Sequence, residues 1–151
     1  MTNERKIRIG ITQGDTNGIG YEVILKTFSD SAMLELCTPV IYGSSKIMSY
    51  HRKAVGVQAF QTNNVKSVDY LKESLPNVVE VCSDEVKVEL GKADKQAGKA
   101  AFLALEAAIT DLKKGKIDAI VTAPISKENI QSAEFNFPGH TEYLEASVGE
   151  G

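Results

Sequence analysis

An α/β fold, built as an open and mostly parallel sheet with helices on both faces, is what this 151-residue sequence predicts. Three observations carry that reading. Apolar residues recur at period two in short runs and at three and four in longer ones, and the two patterns alternate along the chain. Several of the strand-like runs are apolar throughout, as strands covered on both faces must be. Glycine, proline or serine stands at many of the joints between runs.

Lys6 to Thr12 sets Ile7, Ile9 and Ile11 at alternate positions and stops at Gly14-Asp15, a first strand running into a turn. From Tyr21 the pattern turns helical, with Val23, Ile24, Leu25 and Phe28. Pro39 to Gly43 is a short buried-type strand between breakers. Ser44 or Ser45 then caps a helix on which Ile47, Met48, His51 and Val55 recur at three and four, and Gly56 is its stop. Val57 to Asn77 reads as a weak strand plus an irregular excursion, and Val78 to Cys82 restores a strand. The clearest helix is Asp94 to Lys114, where Ala97, Ala101, Leu105, Ala108 and Leu112 form one stripe before Gly115. Asp118 to Thr122 is a strand too apolar for a sheet edge, broken by Ala123-Pro124. A last helical pattern opens near Thr141 with Tyr143, Leu144 and Val148, and no closing strand or helix follows it, so the sequence reads as the front portion of something longer.

Composition narrows the function. At 151 residues, 42% of them hydrophobic, the chain is long enough to bury a core without help from a disulfide or a metal. A net charge of −3, a pI near 5.4 and no Lys/Arg block leave no electrostatic footprint for nucleic acid. No stretch approaches the ~18 apolar residues of a membrane helix, and the first residues do not resemble a signal peptide, so a cytoplasmic protein is expected. Cys37 and Cys82 read as two reduced core thiols.

Three loops are candidates for chemistry. Gly14-Asp15-Thr16-Asn17-Gly18-Ile19-Gly20 joins the first strand to the first helix, where backbone N–H groups and the helix dipole approach an anion. Its spacing matches neither the dinucleotide fingerprint nor the P-loop, so a plain tight turn with positive φ at its glycines stays open beside the binding reading. Lys127 follows the carboxyl end of the last strand, where ligands collect in open α/β sheets; it is suited to binding an anion or moving a proton, or is a solvated lysine. His140 lies between Gly139 and Thr141 on a loop entering a helix; a lone loop histidine is more often unremarkable than functional, and Thr141 reads equally as a helix cap. His51 lies on a buried helix stripe and reads as structural. The two His and two Cys are not spaced to hold a transition metal, and no nucleophile elbow is present.

Taken together, Ile11-Thr12-Gln13-Gly14-Asp15-Thr16-Asn17-Gly18-Ile19-Gly20-Tyr21-Glu22, Val121-Thr122-Ala123-Pro124-Ile125-Ser126-Lys127 and Phe137-Pro138-Gly139-His140-Thr141-Glu142 resemble the 4-hydroxythreonine-4-phosphate dehydrogenase family of vitamin B6 synthesis, in the family's order and spacing. Gln13, Thr16-Asn17 and Tyr21 stand where commoner members show prolines or Pro-Ala, a difference of loop stiffness more than of chemistry. The resemblance implies NAD-dependent oxidation of the secondary alcohol of a small phosphorylated amino acid, followed by loss of CO2 to give an aminoketone phosphate. It implies a homodimer with a two-lobed fold like that of isocitrate and isopropylmalate dehydrogenases, of which residues 1–151 are the N-terminal portion, with a lobe change near 115–140. On matching positions His140 and Thr141 contact substrate, and the glycine loop resembles that of those dehydrogenases, which puts Gly14, Asp15, Gly18 and Gly20 on the cofactor side; Lys127, by its position after the strand, is the catalytic candidate. The family's divalent cation is held by histidines beyond the matching segments, so no metal ligand is assigned, and this chain alone is expected neither to bind the metal tightly nor to turn over substrate. A four-carbon sugar-acid phosphate as substrate, or a non-catalytic α/β binding domain, are the alternatives.

Overall fold

The computed structural model describes residues 5–14, 16–57, 60–82 and 95–123. Its strands are β1 (Ile7–Thr12), β2 (Cys37–Gly43), β3 (Asn63–Val65), β4 (Asn77–Glu80) and β5 (Ala119–Thr122), and its helices α1 (Gly20–Phe28), α2 (Met33–Leu36), α3 (Ser45–Val55) and α4 (Lys95–Lys113). The strands form one sheet in the order β3-β4-β2-β1-β5. Every neighbouring pair is parallel, with Ile11 opposite Ile41 and Val121, and Ile41 opposite Val78.

Alternation along the strands supplies both faces of the sheet. Ile11, Ile41 and Val78 point to one side, where Tyr21, Ile24 and Leu25 of α1 and Ile47 and Met48 of α3 close over them. Val40, Tyr42 and Val79, each one position along, point to the other and meet Ala104 and Ala108 of α4 together with Ile117. Alanines dominate the buried stripe of α4; they lose no side-chain entropy in a helix and let it lie close to the strands. The expected helices on both faces are therefore present. Among the described residues no helix is long and apolar enough to cross a membrane.

Local signals placed several boundaries correctly. The Ser44 hydroxyl accepts from the Ile47 N–H at 3.3 Å, and Gly56 ends α3 in the left-handed conformation at φ 78°. Gly115, at φ 73°, follows α4 in the same way. Both cysteines are free, Cys37 buried and Cys82 half-buried.

Other expectations need correction. Pro39 lies inside β2 rather than at its start. Its carbonyl accepts from Asn77 Nδ2 at 3.1 Å, which places its nitrogen on the β4 side just before that ladder opens at Val40, so the missing N–H costs no strand bond. β5, expected in the interior of the sheet, pairs among the described residues with β1, at the end of the strand order. Ile120 packs toward α4 while Val121 is 53% exposed, a split that an unbroken apolar run does not reveal. Asp118 is not part of β5; its carboxylate accepts from the Arg8 N–H and the Arg5 guanidinium, both at 2.8 Å, clipping the start of β1 to that of β5. The short helix α2 had no periodic signal, being a single turn.

Candidate functional site at the carboxyl edge of β1 and β5

The chain leaves β1 toward β2 on one side, while β5 lies on the other. The order of strands thus reverses between β1 and β5, and in an open parallel sheet the crevice outside their carboxyl ends is where ligands bind. The glycine loop opens from β1 at this point. Ala123, just past β5, donates its N–H to the Thr12 carbonyl at 3.3 Å, so the two strand ends are joined.

Two of the loop glycines have distinct physical requirements. Gly14 has φ 70°, a conformation that a side chain disfavours. Gly20 starts α1 so close to β1 that a Cβ on it would stand 2.5 Å from the Gln13 carbonyl oxygen and 3.0 Å from Ala123 Cβ. The plain-turn alternative needs positive φ at the loop glycines; of Gly14, Gly18 and Gly20 only Gly14 has it, and Gly20 is required by close approach instead.

Beneath the loop lies a buried polar network. Gln13 and Tyr21 are fully buried, and the Tyr21 hydroxyl donates to Gln13 Oε1 at 2.5 Å while accepting from the Ser44 N–H at 3.0 Å. Gln13 Nε2 donates to the Ala100 carbonyl at 3.0 Å and reaches Cys82 Sγ at 2.9 Å. Gly43 has no room for a side chain, because a Cβ would overlap the Tyr21 hydroxyl. His51 Nε2 lies 2.7 Å from the Thr16 carbonyl, and a carbonyl only accepts, so that nitrogen carries the proton. The imidazole also stacks on Tyr21, with centroids 5.3 Å apart and planes at 21°. At the network's edge Glu80 accepts from the backbone N–H and the hydroxyl of Ser45, at the amino end of α3.

Burial decides the protonation states. It lowers the pKa of His51 against the opposing bond to Thr16 and the charge of Glu22, and raises that of the Tyr21 hydroxyl. The Cys82 thiol is pushed up by burial too, against the Gln13 bond. The groups under the loop are thus held neutral, and they form a scaffold rather than an acid–base relay.

The Thr12 and Thr16 hydroxyls are buried with no hydrogen-bond partner. Two unsatisfied hydroxyls beside a strand end, next to the start of a helix, fit the needs of a phosphate-bearing cofactor. Among the described residues no group of three or more His, Cys, Asp or Glu is placed to hold a metal ion.

Of the residues singled out in the sequence, Gly14, Gly18 and Gly20 stand at this strand edge. Asp15, Lys127, His140 and Thr141 lie outside the described residues. Gln13 and Tyr21, read only as changes of loop stiffness, turn out to be bonded to each other. The only signal in the sequence was a long polar and a phenolic side chain flanking the glycine loop.

The family model for pyridoxal phosphate biosynthetic protein PdxA matches residues 35–151. A 4-hydroxythreonine-4-phosphate dehydrogenase of Bacteroides thetaiotaomicron is 62% identical, over 98% of this chain and 40% of that protein. A Clostridium botulinum protein provisionally named D-threonate 4-phosphate dehydrogenase is 32% identical, over 95% of this chain and 43% of its own length. Among solved structures, the 4-hydroxythreonine-4-phosphate dehydrogenase of Burkholderia phymatum superposes with a TM-score of 0.84 at 28% identity, covering 97% of this chain and 44% of that one. That of Klebsiella pneumoniae gives 0.83 at 26% identity, covering 97% of this chain and 45% of that one. The chain thus spans less than half the length of each of these proteins.

Proposed function

The chain belongs to the PdxA family, and from that membership we propose that the protein carrying it is a dehydrogenase that oxidises and decarboxylates 4-phosphooxy-L-threonine to 3-amino-2-oxopropyl phosphate in pyridoxal phosphate synthesis. The observation that carries this reading is the 62% identity to a 4-hydroxythreonine-4-phosphate dehydrogenase across nearly the whole chain, against 32% to the D-threonate 4-phosphate relative.

NAD would supply the acceptor for the hydride of the alcohol carbon, and a ketone β to the carboxylate would take up the electron pair of the C–C bond as CO2 leaves, the resulting enolate then gaining a proton. The chain's own residues bind and orient. Gly14, Gly18 and Gly20, with Asp15 between them in sequence, form the cofactor side at the β1 edge, where the Thr12 and Thr16 hydroxyls are unsatisfied. His140 and Thr141 hold the substrate, and Lys127, soon after β5 in sequence, is the candidate to meet an anionic group or take the hydroxyl proton. A divalent cation would act as a Lewis acid on the same oxygen, with ligands from outside the described residues. A homodimeric, two-lobed cytoplasmic enzyme, to which this chain contributes one part with a lobe change near 115–140, belongs to the same proposal.

The substrate is tested by comparing kcat/KM for 4-phosphooxy-L-threonine and D-threonate 4-phosphate, using the protein at the full length its gene encodes. A preference of about tenfold or more for the amino acid is expected, and the reverse preference selects the sugar-acid reading. His140→Ala and Thr141→Ala are each expected to cost about 1.5–3 kcal/mol in kcat/KM, the loss of a positioned contact to a charged group. Unchanged kinetics in both would remove these residues from the site, and equal Tm values in variant and parent separate lost contact from misfolding.

A further inference from the structure

We propose that His51 is a positioning residue that holds the glycine loop, through the Thr16 carbonyl and the face of Tyr21, in the shape that receives the cofactor. The inference rests on the reading of that loop as the nucleotide side of the site. His51 lies on α3, 2% exposed, between Ile47 and Val55 on a stripe whose other members are apolar. An aliphatic side chain would satisfy that stripe. Burying an imidazole there costs desolvation, and the ring's bond to the Thr16 carbonyl, at 2.7 Å, offsets it.

The loop needs an anchor of this kind. The first turn of α1 has no side-chain cap, because its N-cap position is Ile19. Gln13 holds the strand end, its N–H donating to the Tyr42 carbonyl at 3.1 Å. Between that point and α1, Thr16 is tied to α3 by its carbonyl. The same imidazole stacks on Tyr21, whose hydroxyl in turn bonds Gln13. His51 therefore touches the loop in its middle and, through Tyr21, fixes both of its ends. It reaches these points from beneath, bonded to backbone, and so acts through the loop.

Two variants separate the N–H from the ring. His51→Phe keeps an aromatic face for Tyr21 and deletes the donor; His51→Gln returns a donor near the place of Nε2 without the stack. In the protein at the full length its gene encodes, His51→Phe is expected to weaken NAD binding about tenfold, the worth of one buried hydrogen bond, with kcat at saturating NAD within about twofold. Amides of Thr16, Asn17 and Gly18 are expected to exchange faster, and His51→Gln to bring both readouts back to within about threefold of the parent. Unchanged binding and exchange in His51→Phe, or equal losses in both variants, overturns the proposal, the second outcome marking a packing role. Should His51→Phe fail to fold, Tyr21→Phe removes only the hydroxyl shared by Gln13 and Ser44 and is expected to quicken the same amides; no change there is contrary. A parent protein that binds no NAD refutes the cofactor reading instead, and the exchange comparison then decides the lock by itself.

Discussion

Asn77→Leu is expected to lower the free energy of unfolding by about 3 kcal/mol or more, because it strips a buried hub of its hydrogen bonds while keeping its volume. Asn77 is fully buried at the start of β4. Its Oδ1 accepts from the Lys72 N–H at 2.9 Å and from Asn63 Nδ2 at 2.8 Å. Its Nδ2 lies 2.8 Å from the Lys72 carbonyl and 3.1 Å from those of Leu75 and Pro39, three acceptors served by two N–H groups. One side chain thus joins β2, β3 and the turn that leads into β4. Leucine leaves the Lys72 N–H and at least two carbonyls without partners, at about 1–3 kcal/mol for each group that water does not reach. Asn77→Asp preserves shape yet aims an oxygen at the three carbonyls, and is expected to fare no better. Urea unfolding measures both; a loss below about 1 kcal/mol for Asn77→Leu would show that solvent or neighbouring groups replace the hub.

Gly20→Ala is the second large effect, and it couples stability to the site. The added methyl would meet the Gln13 carbonyl oxygen at 2.5 Å, and that oxygen belongs to backbone fixed by the sheet. Relief requires α1 to draw away from β1, at a cost of about 1–3 kcal/mol. Because α1 begins where the loop ends, the same displacement is expected to weaken NAD binding more than any loss of stability accounts for. Gly56→Ala is the control: φ is 78° but nothing stands within 4 Å, so a cost of about 1 kcal/mol and no change in NAD binding are expected. Equal effects from the two substitutions would mean that Gly20 is an ordinary helix-start glycine.

What the sequence revealed follows from the range of the interactions involved. The α3 cap at Ser44, the glycine stops at Gly56 and Gly115 and the stripe of α4 are local, and each was legible in a short window. The stripe on α3 also put His51 on the buried side correctly. What it could not show was the tie to Thr16, whose partner lies on a loop from another strand. Gln13, Tyr21, Gly43 and Ser44 come from the residue after β1, α1, β2 and the entry to α3, and only the parallel pairing of β1 with β2 gathers them beneath one loop. The outward face of β5 was illegible for a similar reason: an apolar run reads alike whichever of its side chains are covered, and among the described residues Val121 is exposed while Ile120 packs toward α4. Pro39 looked like a boundary because the direction of its nitrogen within the sheet is set by β4, not by its neighbours in sequence.

The dehydrogenase reading is tested most directly by incubating the protein, at the full length its gene encodes, with NAD, a divalent cation and 4-phosphooxy-L-threonine. NADH and CO2 released in equal amounts is the expected result. A folded protein that forms neither from this substrate contradicts it, and NADH formed from D-threonate 4-phosphate alone would move the enzyme to the other branch of its relatives.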